Sequence, residues 1–140
     1  MRLYLTFFIC LVMLPALAQS ELEDKKTIER TIKLYFDGMM ERNLSKLQEA
    51  FHPEARLIGY RGENFTVTSF ADWSNATSKG DTRDLTKFKN VLLDVEVKGN
   101  TALAKTELFW PGIYYYDFLT LVKIDGQWKI VHKTWYEEVR

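Results

Sequence analysis

The chain has 140 residues, and its 19 Lys and Arg residues balance 19 Asp and Glu residues, so the formal net charge is zero with both histidines neutral. A neutral chain lacks the excess of basic residues that nucleic acids and anionic membranes attract, and we expect neither as a partner. The length suits one domain with a real core and leaves no room for a second.

The first 18 residues are typical of an export signal. Arg2 gives the cationic start, residues 3–14 are mainly apolar, and Pro15 precedes the small-x-small triplet of residues 16–18. We predict cleavage after this triplet, leaving a mature domain of residues 19–140 that is periplasmic or secreted. The alternative is a retained membrane anchor, although the apolar stretch falls short of the ~20 residues that a spanning helix needs.

Cysteine and histidine usage restricts the chemistry of the mature domain. Cys10, the single cysteine, lies in the signal, so the domain has no disulfide, thiol nucleophile or thiolate metal site. The two histidines lack the close spacing that metal sites use, and we predict no metal. No glycine-rich dinucleotide or phosphate loop occurs, and no Gly-x-Ser-x-Gly motif, so we predict no cofactor.

Three helices are predicted. Apolar residues recur at three- and four-residue steps over residues 22–40, which indicates an amphipathic helix. Asn43 is a suitable N-cap for a second, short helix that runs through Phe51. Ser69 and Asp72 have the spacing of a capping box, which predicts a third short helix.

The remaining pattern predicts strands. They are expected at about residues 55–60, 65–68, 89–98, 102–110, 114–124 and 127–137. Val91, Leu93, Val95 and Val97 alternate with polar residues and are expected on one face. Gly99-Asn100 and Asp125-Gly126 are hairpin turns in a mainly antiparallel meander. The order predicts an α+β domain whose helices cover one face of the sheet.

Three segments resemble one known superfamily. They are Tyr35-Phe36-Asp37-Gly38, Ala50-Phe51-His52-Pro53-Glu54-Ala55 and residues 119–131, which read LTLVKIDGQWKIV. Together they resemble the nuclear transport factor 2-like (NTF2-like), or SnoaL-like, superfamily, in particular its lumazine-binding branch, over residues 22–138. The resemblance implies a cone-shaped barrel with N-terminal helices packed on a curved sheet, a pocket at the open end, and often a dimer formed through the sheet.

The resemblance also suggests catalytic residues. Members similar to ketosteroid isomerase use a carboxylate base together with a tyrosine and a protonated acid as oxyanion donors. Residues of the right chemical types are Asp94, Asp117, Tyr35 and Tyr116. His52 joins Asp117 and Tyr35 as a third catalytic candidate because imidazole titrates near neutrality. No local motif places these residues in one cavity, and His52 alternatively caps the second helix or satisfies a buried carbonyl.

Aromatic residues are dense in the second half of the chain, which favours a pocket for a planar or apolar ligand. Candidate ligand-binding residues are Tyr35, His52, Trp73, Trp110, Tyr116 and His132. His132 shares its predicted strand face with Trp128 and Ile130, so we expect it to face inward. Alternation places Tyr115 on the face opposite Tyr116. Core packing alone accounts for most of these rings, and a structural role for His132 also stays open.

Three functions are therefore considered. The first is an exported protein that binds a small hydrophobic or aromatic molecule. The second is a cofactor-independent isomerase, dehydratase or cyclase. The third is a homodimer formed through the outer face of the sheet, with Phe109, Tyr115 and Trp135 at the interface.

Overall fold

A computed structural model describes the backbone of residues 9–140 and the side chains of residues 19–140. The helices are α1 (Ile9–Glu41), α2 (Leu44–Ala50) and α3 (Phe70–Thr77). The strands are β1 (Phe51–Arg61), β2 (Asn64–Ser69), β3 (Lys89–Lys98), β4 (Thr101–Trp110), β5 (Ile113–Ile124) and β6 (Gln127–Val139). The first eight residues of the predicted signal lie outside the described residues, and its cleavage stays a prediction. None of the described helices is long and apolar enough to cross a bilayer.

The six strands form one sheet in the order β2-β1-β6-β5-β4-β3. Strands β3 to β6 form the predicted antiparallel meander, and the β1–β6 pair is parallel. The helices pack on the concave face, where the largest buried side chains include Trp128, Tyr35 and Phe51. The predicted α+β, cone-like fold is confirmed.

Both predicted helix caps are present. The Asn43 side chain accepts a hydrogen bond from the Lys46 backbone N–H at 3.1 Å, and Ser69 Oγ accepts one from the Asp72 N–H at 3.1 Å. Helix α2 ends at Ala50, one residue earlier than expected, because Phe51 is already extended. Pro53 also favours an extended conformation at the residue before it, so β1 begins directly after the helix.

A β-bulge in β3 separates the four residues that were expected on one face. Leu92 pairs with Thr106 and Asp94 pairs with Lys105, so Leu93 is an extra residue without a cross-strand partner. Leu93 is 46% exposed, whereas Leu92 packs against the core. Val91 pairs with Glu107 on the outer face, while Val95 and Val97 pack against the core. The expectation that Val91, Leu93, Val95 and Val97 share one face is therefore wrong, because a bulge shifts the alternation of faces.

A second register shift, in β6, has a larger effect. Thr120 pairs with His132 but Leu121 pairs with Ile130, which leaves Val131 as the extra residue. Trp128 and Ile130 are buried on the concave face, and after Val131 the inward positions pass to Lys133 and Trp135. His132 thus lies on the outer face, and its expected inward orientation is wrong.

Gly38 lets α1 and α2 approach closely. A Cβ built on Gly38 would lie 2.6 Å from Leu47 Cδ2 and 3.1 Å from the Leu47 backbone N, and Leu47 is fully buried. Alanine normally favours a helix interior over glycine by about 1 kcal/mol, but overpacking a core typically costs about 1–3 kcal/mol. We expect Gly38→Ala to destabilise the fold, measured by urea unfolding. Glu29→Ala, on the exposed side of α1, is the control, and a stabilised Gly38→Ala protein would contradict the prediction.

Asp24 ties the middle of α1 to the β5–β6 hairpin. Its Oδ1 accepts hydrogen bonds from Lys123 Nζ at 2.7 Å and Trp128 Nε1 at 3.0 Å, and these bonds lower the pKa of the Asp24 carboxyl below 3.8. A lowered folded-state pKa stabilises the protein above the unfolded value, and this contribution disappears as the pH falls through the folded value.

We therefore expect Asp24→Asn to lower the free energy of unfolding at neutral pH. The difference between the variant and the unmodified protein should disappear as the pH falls below about 4. Urea unfolding of both proteins across this pH range measures the difference. Lys123→Met should show a weakened version of the same pH dependence. A stability difference for Asp24→Asn that is constant with pH would contradict the assignment.

Candidate functional site

An open cavity of about 520 Å³ lies between the concave face of the sheet and helix α3. Strands β1, β4, β5 and β6 supply one wall, and α3 with the segment around Arg83 supplies the other. Its principal lining residues are Arg42, Arg61, Asp72, Trp73, Arg83, Leu108, Trp110, Tyr115, Lys133 and Trp135. A concave site with aromatic walls and a few polar groups is typical of small-molecule pockets.

A buried polar cluster of Tyr35, Asp117 and Lys133 adjoins this cavity. Lys133 Nζ lies 2.7 Å from Asp117 Oδ2 and donates to the Tyr35 hydroxyl at 2.7 Å, and that hydroxyl donates to Asp117 Oδ2 at 2.7 Å. Tyr35 and Asp117 are fully buried, whereas Lys133 is 8% exposed and lines the cavity. The amine is thus the member of the cluster that a bound molecule would meet.

The cluster keeps Tyr35 protonated. Burial, together with the negative charge of Asp117 and the hydrogen bond to it, raises the pKa of the Tyr35 phenol well above its ordinary value. Two buried oxygens, Asp117 Oδ1 and Thr106 Oγ1, have no hydrogen-bond partner among the described residues, and their residues face each other across β4 and β5. Buried polar atoms in native proteins usually have partners, so this corner retains unused hydrogen-bonding capacity.

Aromatic rings and a guanidinium form a second part of the cavity wall. The Arg83 guanidinium carbon lies 4.5 Å from the Trp110 ring centroid, and Arg83 donates to the Met39 carbonyl at 2.7 Å. Trp110 is fixed by a 2.9 Å hydrogen bond from its Nε1 to Asn90 Oδ1 and by an edge-on contact with Tyr115. Burial lowers the pKa of Arg83 and raises that of Tyr115.

Trp135 completes the aromatic wall. Its Nε1 donates to the Tyr60 carbonyl at 2.8 Å, and the Arg61 guanidinium carbon lies 5.4 Å from its ring centroid. A Cβ on Gly59 would come within 2.9 Å of the Trp135 indole, so glycine at that position lets the ring lie flat against β1. The ring is therefore held by packing as well as by its hydrogen bond.

The structure separates the six residues suggested for ligand binding. Trp73 and Trp110 line the cavity. Tyr35 is buried behind the lining and reaches the cavity only through its hydrogen bond from Lys133. His52 does not line the cavity; its Nδ1 accepts a local hydrogen bond from the Glu54 N–H at 3.1 Å. Of the three catalytic candidates, the structure thus brings Asp117 and Tyr35 together and leaves His52 apart.

Tyr116 and His132 lie on the outer face of the sheet. Tyr116 contacts Phe118 there, at 5.1 Å between ring centroids, whereas Tyr115 points into the cavity. The expected place of Tyr116 in the pocket is wrong. The inward face of β5 carries Tyr115 and Asp117, and a charged residue makes that face look solvent-exposed in the sequence. Tyr115 and Trp135, expected at a dimer interface, both line the cavity instead.

Lys133, Arg61, Arg83 and Thr106 were missed by the sequence interpretation. Regular alternation along β6 from the inward Trp128 and Ile130 predicts that Lys133 faces solvent. The register shift at Val131 turns Lys133 inward instead. Thr106 carried a usable signal, since it falls in the inward row of β4 between two buried residues. Among the described residues, no group of three or more His, Cys, Asp or Glu side chains is arranged to hold a metal.

Comparison with known proteins gives both a family and a relative. A family model described as "Putative lumazine-binding" matches residues 23–136. The chain is 30% identical over 115 residues to the aldolase FrzH of Cladobotryum sp, an alignment that covers 79% of this chain and 88% of that protein.

Solved structures share the fold at lower identity. An NTF2-like protein from Silicibacter pomeroyi is 22% identical with a TM-score of 0.75, covering 86% of this chain and 98% of its own. One from Shewanella baltica is 18% identical with a TM-score of 0.77, covering 85% and 97%. The association domain of Caenorhabditis elegans CaMKII is 14% identical with a TM-score of 0.65, covering 83% and 97%. With a family match over most of its length, the chain belongs to the family described as putative lumazine-binding, and it shares the cone-like fold of the NTF2-like proteins.

Proposed function

We propose that this protein is exported and binds a small aromatic molecule in the cone cavity. The observation that carries the proposal is a cavity of about 520 Å³ walled by Trp73, Trp110, Tyr115 and Trp135. Rings held by hydrogen bonds and packing lose little freedom when a planar ligand stacks on them, so the site is preorganised. The family description supports a small-molecule partner.

The charges around the cavity refine the ligand. Four basic side chains line it, namely Arg42, Arg61, Arg83 and Lys133, whereas the acidic groups are Asp72 on the lining and Asp117 behind Lys133. A site with this excess of cations favours a ligand whose ring carries a carboxylate or another electron-rich oxygen. Of the hydrophobic or aromatic ligands expected from the sequence, a purely hydrophobic one fits this lining less well.

Paired ligands test the proposal. We would titrate the mature protein with 2-naphthoate, with its neutral amide and with lumazine, following tryptophan fluorescence and native mass spectrometry. The carboxylate should bind at least about tenfold more tightly than the amide, a difference of ~1.4 kcal/mol in binding free energy. This ratio of affinities should decrease at high salt.

Arginine variants test whether Arg83 causes the preference for the carboxylate. Arg83→Met should remove most of the preference for the carboxylate, while Arg56→Met, an exposed arginine on the outer side of β1, should keep it. Absence of binding by all three compounds, or equal affinity for acid and amide, would refute this assignment of the ligand.

A second candidate function is cofactor-independent catalysis on a carbonyl compound. The specific observation is the Lys133–Asp117–Tyr35 cluster beside the cavity, which places a cation and a network of proton donors where a carbonyl oxygen would lie. The related aldolase supports reactions at the carbon next to a carbonyl. Asp117 is too deeply buried to touch the ligand itself, so Lys133 is the group in contact.

Deuterium exchange distinguishes catalysis from binding alone. Aryl ketones incubated with the protein in D2O should exchange the hydrogens next to the carbonyl faster than buffer allows, as followed by NMR. Lys133→Met should abolish the acceleration and His52→Ala should preserve it, because His52 lies away from the cavity. Exchange at the buffer rate with the unmodified protein would leave binding as the function.

Export and assembly complete the proposal. Expression of the full chain should yield a secreted protein whose N-terminal residue is Gln19, and an unprocessed, membrane-retained chain would instead support the anchor. We also propose a homodimer through the outer face, where Phe118 is 41% and Tyr136 is 56% exposed. Light scattering should give twice the mass of one chain, and Tyr136→Asp should reduce it to a monomer.

A further inference from the structure

We propose that Lys133 is an amine nucleophile that forms an imine with an aldehyde or ketone bound in the cavity. The inference rests on the proposed small-molecule site and adds a covalent step to it. Lys133 is the lysine on the cavity lining, and its amine is fixed by Asp117 and Tyr35 rather than moving freely in solvent. An amine held on the wall of an aromatic pocket meets a bound carbonyl carbon without a large ordering cost.

The cluster provides a place for the proton that the amine must lose. Asp117 is fully buried, and its Oδ1 has no hydrogen-bond partner among the described residues. Both charges of this pair have lost their water on burial, and a single proton transfer removes both charges. Proton transfer from Lys133 Nζ to Asp117 over 2.7 Å gives a neutral amine and a neutral carboxylic acid.

The reaction balances within this cluster. The Lys133 nitrogen attacks the carbonyl carbon, a C–N bond forms, and a proton passes from nitrogen to the former carbonyl oxygen. The C–O bond then breaks, and the oxygen leaves as water with the proton held by Asp117, relayed through the Tyr35 hydroxyl that contacts both groups. The product is a protonated imine beside a regenerated Asp117 carboxylate.

The charge of the buried site is therefore the same before and after the reaction. The protonated imine replaces the ammonium as the partner of Asp117, so no unpaired buried charge is created. Three aromatic rings also surround the nitrogen, with Tyr35, Trp73 and Trp135 centroids 5.2, 6.0 and 5.8 Å from Nζ. Their electron-rich faces stabilise a cation at this position in both states.

Reductive trapping tests the imine directly. The mature protein would be incubated with 2-naphthaldehyde and sodium cyanoborohydride, which reduces a protonated imine to a stable secondary amine, and the labelled lysines would be located by peptide mass spectrometry. We expect Lys133 to be labelled at least about tenfold faster than Lys98, an exposed lysine on β3. Excess 2-naphthalenemethanol should slow labelling of Lys133 and leave Lys98 unaffected.

Variants and a binding measurement separate the two proposals. Lys133→Arg, which keeps the positive charge, should lose the label and retain the far-ultraviolet circular dichroism spectrum, and the affinity for 2-naphthoate is measured on the unmodified protein. If 2-naphthoate binds but Lys133 is labelled no faster than Lys98, the imine is refuted and the binding function stands. If neither binding nor labelling of Lys133 occurs, both proposals are refuted.

Discussion

Lys133→Met is expected to lower the free energy of unfolding by about 3–5 kcal/mol, because it leaves a buried carboxylate without its counter-charge. Asp117 is 0% exposed, and Lys133 Nζ lies 2.7 Å from its Oδ2. Tyr35 would remain as its single hydrogen-bond donor among the described side chains. Urea unfolding followed by circular dichroism measures the change.

A double-mutant cycle identifies the cause of this loss. Asp117→Leu should also destabilise the protein by several kcal/mol, whereas the combination of Asp117→Leu with Lys133→Met should recover much of the loss, because an apolar pair needs no counter-charge. The exposed pair Lys105–Asp94, at 3.2 Å, is the matched control and should show a coupling below about 1 kcal/mol. Additive effects at Lys133 and Asp117 would contradict the prediction.

Phe51→Ala is expected to destabilise the protein by a similar amount, about 3–5 kcal/mol. Phe51 is 1% exposed and stacks on Phe70 at 5.0 Å, with Trp73 at 5.3 Å and Tyr35 at 5.6 Å between ring centroids. Removing this ring leaves a cavity that rigid neighbours fill poorly, so the transfer and cavity costs add. Thermal and urea unfolding measure the effect.

The same substitution should weaken ligand binding, because Phe51 supports helix α3 and thereby Trp73 in the cavity wall. Phe65→Ala is the matched control, since Phe65 is 61% exposed on β2 and should change stability by less than about 0.5 kcal/mol. A Phe51→Ala protein with nearly normal stability would show that α3 is held by other contacts.

The buried cluster links stability to the proposed chemistry. Asp117 and Tyr35 are candidates from the sequence on chemical type alone, and the structure joins them to a lysine that no sequence pattern singles out. Lys133 stabilises the core as a partner of Asp117 and also faces the cavity. Stability and reactivity must therefore be measured together for every variant of this cluster.

Local features of the fold were readable from the sequence because their causes are local. Asn43 and Ser69 cap helices through bonds that span three residues, and the turns at Gly99-Asn100 and Asp125-Gly126 lie between strands of clear alternation. Gly99, Asp125 and Gly126 have positive φ, which Gly and Asp tolerate better than most residues. Helix and strand order, and from it the α+β class, follow from these signals.

The site was decided by the tertiary structure. A register shift depends on how two strands pair, so no local pattern showed that Val131 would turn His132 outward and Lys133 inward. Lys133 meets Tyr35 across 98 residues of sequence and Tyr35 meets Asp117 across 82, distances over which periodicity carries no information. The sequence by itself thus determined which elements form and in what order, whereas strand pairing decided which side chains share the cavity, because one extra residue in a strand reverses the face of every residue after it.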